Sequence, residues 1–277
     1  MSIAVKNICY DYGNGAPVLR GVDFSVETGE IAAVMGPTGS GKSTLLRLMA
    51  GLEKPAAGRI LVDGEDIGKV KDLRKKVGIV FQHPARQIFC TTVAKEVAYA
   101  PGQLRMDRRE ERVRLALEQM GFTYDEVKDR SPFSLSDGEK RRVALAGVLV
   151  TEPEILLLDE PLAGLDGAGR KDFLTLIGRL KAQGTTIVMV THGADTAAEC
   201  ADRVVVLERG KTAFDGPPAV LFSQVGPAET LHVGTTAAGR VAGELFRRGK
   251  LNSNETICTV RQLTEHVADR LKGGEGV

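Results

Sequence analysis

Long apolar runs are missing from this 277-residue chain. No stretch approaches the ~18 consecutive apolar residues that cross a bilayer, so any work at a membrane runs through a partner. Cysteine is scarce as well. Cys9, Cys90, Cys200 and Cys258 lie far apart, which excludes a paired-cysteine metal site and implies no disulfide framework. A reducing, cytoplasmic compartment fits, and the start MSIAVKNICYDYG lacks the basic, apolar, small-residue order of a signal peptide. A surplus of either charge is also absent. The net charge of +1 gives no broad basic field for nucleic acid. The clusters from Lys71 to Lys76 and from Arg105 to Arg114 are mixed with acidic or apolar residues, as solvated faces are. Internal repeats and low-complexity segments are lacking too.

What remains is the composition of a soluble globular protein, 43% hydrophobic and 26% charged, with length for one large α/β domain and a small appendage. Near the N-terminus Val22, Phe24 and Val26 alternate with polar residues; with Ile3 to Lys6 and the turn-rich DYGNGAP they predict a small β layer. The pattern then changes. IAAVM (31–35), VGIVF (77–81), EILLL (154–158) and TIVMV (186–190) are short apolar runs separated by helical stretches, as parallel strands buried on both faces read. Residues 85–150 are expected to be mostly helical. There Asp107 and Glu110 offer a cap to a helix bearing Val113, Leu117 and Met120, with Gly121 to end it. Beyond about residue 218, Val241, Leu245 and Phe246 share a helical face closed by Arg247, Arg248 and Gly249. Thr259 and Gln262 have capping-box spacing ahead of Val260, Leu263, Val267 and Leu271. The final LKGGEGV is expected to fray.

GPTGSGKST (36–44) lies between the run IAAVM and the helical LLRLMAGL, which is G-x-x-x-x-G-K-S/T in strand–loop–helix context. Its residues Gly36, Pro37, Thr38, Gly39, Ser40, Gly41, Lys42, Ser43 and Thr44 are candidate phosphate binders. The glycines let backbone N–H groups converge on phosphate oxygens, Lys42 reaches the β- and γ-phosphates, and the Ser43 hydroxyl suits Mg²⁺. Asp159 and Glu160 follow a buried strand, where ligands of such sheets sit. Asp159 suits Mg²⁺, and Glu160 suits a general base for water. Gln82 and His192 end two further strands and point toward the same crevice; Gln82 is a candidate for Mg²⁺ or water and His192 for the γ-phosphate. Tyr12 is placed to stack on a base. In SLSDGEKRRVALAG, Ser136 and Glu139 have capping-box spacing, but Ser136 and Gly138 also suit a helix N-terminus that binds phosphate; both readings stay open on spacing alone.

In this order, over about residues 3–215, these pieces resemble the nucleotide-binding subunit of an ATP-binding cassette (ABC) transporter. The resemblance implies an α/β fold: a P-loop NTPase core with a parallel sheet, an N-terminal antiparallel β layer, a helical signature subdomain and a small C-terminal helical domain. It implies ATP and Mg²⁺ as cofactors, Tyr12 on adenine, Gln82 as the Q-loop, LSDGE (135–139) as the signature, ILLLDE as Walker B, Asp166 as the D-loop aspartate and His192 as the switch histidine. It also implies that Ser136 and Gly138 meet ATP held by a second, head-to-tail subunit. Where the family has LSGGQ, this chain has Asp137 and Glu139, carboxylates that weaken closure unless they point outward or pair with Lys140, Arg141 or Arg142.

FQHPARQIFCTTVAKEVAYAP (81–101) is similar to the energy-coupling factor and cobalt/nickel-type importer ATPases, with their P-x-x-Q-L/I-F and T-V-x-x-E-V patterns. Ala85 and Arg86 stand where that group has acidic residues near a transmembrane coupling protein. The implied division is a nucleotide-binding domain over 1–218 and a C-terminal helical dimerisation module over 219–277. The implied protein hydrolyses ATP to power uptake of a vitamin or transition-metal ion at the cytoplasmic face of the membrane. Its implied partners are a second ATPase subunit, identical or not, a transmembrane coupling protein and a substrate-binding membrane protein, with no nucleic acid. An exporter subunit, which would lack the segment after Gln82 and the tail, and a soluble cassette ATPase are the alternatives.

Overall fold

The computed structural model describes residues 1–13, 15–223, 227–251 and 256–272, with side chains through residue 269. Along the chain come β1 (Ile3–Asp11), β2 (Pro17–Val26), β3 (Ile31–Met35), α1 (Lys42–Met49), β4 (Ala57–Val62) and β5 (Glu65–Asp66). Then follow α2 (Leu73–Lys76), β6 (Val77–Val80), α3 (Val93–Gln103), α4 (Arg109–Gln119), α5 (Tyr124–Val127), α6 (Asp137–Leu149) and β7 (Ile155–Asp159). The rest is α7 (Gly167–Ala182), β8 (Thr186–Val190), α8 (Ala194–Cys200), β9 (Arg203–Glu208), β10 (Lys211–Gly216), α9 (Pro218–Phe222), α10 (Ala237–Arg247) and α11 (Val260–Lys272).

Two sheets share the core. The first, antiparallel, has the order β2-β1-β4-β5; the second runs β10-β9-β3-β8-β7-β6, parallel except for its edge strand β10. Every residue of β3, β7 and β8 is buried, as their unbroken apolar runs require of central strands. Register then places the chemistry. Asp159 is level with Val190 across β7–β8, and Val80 with Leu158 across β6–β7, so Gln82, Glu160 and His192 leave the same end of the sheet as the loop after β3. One apolar cluster fills the space between the two sheets around α1, through Val5, Ile8, Leu45, Leu48, Val188 and Leu207. A second joins α3, α4, α6 and α7 to the other face of the parallel sheet through Val97, Leu117, Val143, Leu156 and Ile177.

Strands β4, β9 and β10 carry no expectation from sequence. β9 lies beside β3 in the sheet, and the β9–β10 turn at Arg209 and Gly210 has φ of 49° and 78°, a pair of left-handed residues suited to a tight hairpin. The expected cap on α4 is corrected. Arg108, in left-handed conformation, precedes the helix without a side-chain cap, and the carbonyl of Asp107 accepts from Arg112 Nε at 3.3 Å. Gly121, with φ of 76°, does end that turn. The α10 face is corrected in part: Leu245 and Phe246 do pack against the buried side formed by Ala238, Gly239 and Ala242, while Val241 is 47% exposed. The second capping box forms as expected. Gln262 Oε1 accepts from the Thr259 amide at 3.0 Å and Thr259 Oγ1 accepts from the Gln262 amide at 3.3 Å. The Leu271 side chain and residues 273–277 lie outside the described residues.

The segment after residue 218 is joined to the sheet. Leu221 and Phe222 are fully buried in a cluster with Ala33, Met35, Val204, Val206, Val233 and Cys258, and a small separate cluster holds Ala238, Ala242, Leu251 and Ile257.

Candidate functional site

The turn after β3 is shaped by glycines. A Cβ on Gly36 (φ 137°) would meet the Leu207 carbonyl oxygen of β9 at 2.1 Å, so no other residue fits there. Gly39 and Gly41 are also left-handed, at 81° and 100°, and Gly41 starts α1. Lys42 is buried, its Nζ donating to the carbonyls of Gly36 and Pro37 at 2.9 Å each. Burial lowers the pKa of its ammonium, against the opposing pull of Glu160 and Asp159. The Ser40 hydroxyl is buried within the loop and has no hydrogen-bond partner among the described residues. Tyr12 joins this edge, its hydroxyl 2.8 Å from Thr44 Oγ1 and its ring edge-on to Tyr10.

The two consecutive carboxylates part at the end of β7. Asp159, still extended, is 6% exposed; burial raises its pKa, and the neighbouring Ser43 hydroxyl and Lys42 ammonium counter that. Glu160 then takes φ of 48°, a left-handed conformation that non-glycine residues adopt at a cost and that recurs at functional sites. Its amide donates to the Val190 carbonyl at 3.0 Å, which fixes the turn against β8. After this reversal the Glu160 side chain lies between two groups from neighbouring strand ends. Gln82 Nε2 donates to Glu160 Oε2 at 3.3 Å, and His192 Nε2 lies 3.1 Å from Glu160 Oε1. Residues from four strand ends thus converge on one crevice.

This donor set fits a triphosphate with a hard divalent cation. The loop supplies an ammonium, successive backbone amides and an unpaired buried hydroxyl, and Asp159 and Ser43 supply oxygen ligands. Among the described residues no group of three or more His, Cys, Asp and Glu side chains forms a metal cage. Mg²⁺ is ordinarily held by one or two carboxylates plus substrate phosphates, and Asp159 beside the loop offers such a carboxylate.

The signature stretch stands apart from this crevice within the subunit. Ser136 caps α6, and the box is complete: Glu139 Oε2 accepts from the Ser136 amide and hydroxyl at 2.8 Å each, while the Glu139 amide donates to Ser136 Oγ at 3.3 Å. Of the two unusual carboxylates, Asp137 is 99% exposed and pairs with Lys140 at 3.6 Å, whereas Glu139 pairs with Arg130 at 3.7 Å. Asp137 therefore meets the expectation of an outward acid. The partner of Glu139 comes from outside the expected Lys140–Arg142 trio. Ser136, Gly138 and Asp166 line one open groove of ≈ 670 Å³ between α6 and α7. Asp166 caps α7 by accepting from the Gly169 amide at 2.8 Å.

Sequence reasoning did not find the role of Arg141, which donates to the Ala163 carbonyl at 2.6 Å between Glu160 and Asp166. It also left the T-V-x-x-E-V run unexplained. Thr92 caps α3, and Glu96 Oε2 turns back to accept from the amides of Phe89 and Cys90 at 3.1 and 2.7 Å. That contact presents Phe89 edge-on to Tyr99, both exposed.

The family model described as ABC transporter matches residues 19–163. The energy-coupling factor transporter ATP-binding protein EcfA2 of Clostridium perfringens is 40% identical over 98% of this chain and 99% of its own. The protein of the same name from Symbiobacterium thermophilum is 44% identical over 90% of each. Among solved structures, cbiO1 from Clostridium perfringens, part of the ABC transporter complex cbiONQ, superposes with a TM-score of 0.73 at 34% identity, covering 88% of this chain and 98% of that one. A dimeric ATP-binding cassette in a post-hydrolysis state bound to ADP and Pi gives 0.69 at 28% identity, covering 78% of this chain and 98% of that one. Matched along nearly its whole length, with its phosphate loop and paired carboxylates assembled at one sheet end, the chain belongs to the ABC transporter ATPases of the energy-coupling factor group.

Proposed function

We propose that this protein is the ATP-hydrolysing subunit of an energy-coupling factor importer that takes up a vitamin or a transition-metal ion at the cytoplasmic face of the membrane. The observation that carries the catalytic part is the placement of Glu160, held between Gln82 and His192 one residue beyond Asp159. A carboxylate so fixed can orient a water and take its proton, a contribution of roughly 10²–10⁴-fold in rate. Lys42 and the amides of residues 36–44 stabilise charge developing on the phosphoryl oxygens. Ser43, Asp159 and Gln82 hold Mg²⁺, which neutralises phosphate charge when bound. Tyr12 packs against the adenine, and His192 donates to the γ-phosphate.

The second half of the site comes from another ATPase subunit. Ser136 and Gly138, at the start of α6, meet the nucleotide bound opposite, and Asp166 lies on the same face. What supports the pairing is that these residues line a groove open to solvent and apart from their own phosphate loop. The segment 219–277 adds a contact between subunits, supported by the exposed Val241 and Val260 on α10 and α11. Among the described residues no helix is long and apolar enough to cross a membrane, so the transport path is assigned to partner proteins. The exposed Phe89–Tyr99 pair, in the segment that follows Gln82, is the surface proposed for the transmembrane coupling protein.

The test is the Glu160→Gln protein. It is expected to bind ATP and dimerise while turnover falls at least ~100-fold. Near-normal hydrolysis would remove Glu160 from the mechanism. Co-purification from detergent-solubilised membranes tests the transport half: a small integral membrane protein and a coupling protein are expected, and recovery of soluble partners alone would leave an ATPase without a transporter.

A further inference from the structure

Arg141 and Arg142 follow the signature residues by one turn and hold α6 on two sides. Arg142 Nη1 donates to the Met120 carbonyl at 3.0 Å, and its guanidinium lies 4.5 Å from the Phe122 ring centroid, which ties α6 to the end of α4. Arg141 reaches the other way, its Nη2 donating to the Ala163 carbonyl at 2.6 Å. Ala163 sits midway through the turn from Glu160 to Asp166. Its amide donates back to the Glu160 carbonyl at 3.1 Å, so the bond from Arg141 is two hydrogen bonds from the backbone of Glu160.

That turn has few other restraints. Its start is held, with Pro161 buried and Leu162 and Leu165 packed against the apolar cluster beneath, but Ala163 and Gly164 are exposed and Gly164 is left-handed at φ 74°. Arg141 is therefore a direct polar link between the helix that begins at Ser136 and the turn that begins at Glu160. A guanidinium is planar and permanently charged, so the link is directional and indifferent to pH.

We propose that Arg141 is a positioning residue that transmits engagement of Ser136 to the catalytic turn of the same subunit. The inference rests on the paired-subunit reading above. Ser136 meets one nucleotide and Glu160 acts on the other, so a shift of the first turn of α6 moves the Ala163 carbonyl and with it the backbone that aims Glu160. Coupling between sites needs such a contiguous element with two arrangements.

The test uses the full chain as Arg141→Ala and Arg141→Lys, each alone and combined with Glu160→Gln. Adding Arg141→Ala to Glu160→Gln is expected to leave the ATP concentration for dimerisation within about twofold, because no nucleotide contact is removed. In the Glu160→Gln protein ATP is expected to slow amide hydrogen exchange across residues 162–165, and Arg141→Ala is expected to abolish that slowing although the dimer still forms. With Glu160 intact, Arg141→Ala is expected to lower kcat about tenfold with KM nearly unchanged, and Arg141→Lys, which keeps one donor, to recover part of the loss. Unchanged kcat and unchanged exchange would overturn the proposal. So would loss of dimerisation in the double variant, which would make Arg141 an interface residue. If Glu160→Gln alone fails to dimerise with ATP, the paired-subunit reading falls first and this inference with it.

Discussion

Glu139 holds both hydrogen-bond donors of Ser136, its Oε2 accepting from the amide and from the hydroxyl at 2.8 Å each. For that hydroxyl to donate to a phosphate it must leave a carboxylate, a stronger acceptor than the amide oxygen of a glutamine. Asp137, by contrast, is in solvent. We therefore expect Glu139→Gln to tighten ATP-dependent dimerisation of the Glu160→Gln protein several-fold, while Asp137→Gly leaves it unchanged. Sedimentation across an ATP titration reads both. Equal midpoints for Glu139→Gln and its parent would show that the charge does not restrain closure.

The same contact sets a pH dependence. Hydrogen bonds from the Ser136 amide, then from its hydroxyl, hold the Glu139 carboxyl below the ordinary glutamate range, with Arg130 and Arg142 assisting. A depressed carboxyl contributes stability above its unfolded pKa and loses it as pH falls through the folded one. Wild type should therefore melt slightly above Glu139→Gln at neutral pH, and the gap should close in acid, below the ordinary glutamate range. A gap that widens in acid would contradict the sign. The carboxylate also faces a helix N-terminus, an arrangement worth about 0.5 kcal/mol at an exposed site, so precise melts are needed.

The phosphate loop, the buried strands and both capping boxes were legible because each is local: a spacing, a run or a pair of residues three apart. The position of β9 was not. The residues Arg203–Glu208 form a short apolar run like the others, but their pairing with β3, and the Leu207 carbonyl over Gly36, arise from residues more than 170 positions away. The α4 cap failed for a related reason. Asp107 had the right chemistry, yet left-handed backbone at Arg105 and Arg108 turned the chain into the helix without it. The convergence of Gln82 and His192 on Glu160 was anticipated as a shared crevice. Their direct contacts depend on the backbone reversal at Glu160, which no residue type announces.

Gly36 and Gly39 offer a contrast in kind. At Gly36 a methyl group runs into the Leu207 carbonyl, a backbone atom in the central sheet that has nowhere to go. At Gly39 nothing lies within 4 Å, and only the φ of 81° resists a side chain. Gly36→Ala is expected to cost about 3 kcal/mol or more and to abolish nucleotide binding. Gly39→Ala is expected to cost about 1–2 kcal/mol and to leave a folded protein. Chemical denaturation of the two variants, with a fluorescent ATP analogue as the binding probe, separates collision from strain; equal losses would mean that the sheet yields at Gly36.

The tail provides the last contrast. Phe222 is fully buried against residues of β3 and β9, whereas Val241 and Val260 are exposed on α10 and α11. Phe222→Ala deletes a large buried ring and is expected to lower the stability of the isolated subunit by about 3–5 kcal/mol. Val241→Asp and Val260→Asp change only solvated positions, and each is expected to shift that stability by about 0.5 kcal/mol or less. If α10 and α11 meet a second subunit, the same two aspartates would bury unpaired charge in the interface and weaken the dimer. Melting the isolated subunit and titrating dimerisation on one set of variants therefore reads two different surfaces. Val241→Asp and Val260→Asp proteins that melt and dimerise like wild type would leave the tail as part of the ATPase core and remove it from the subunit contact.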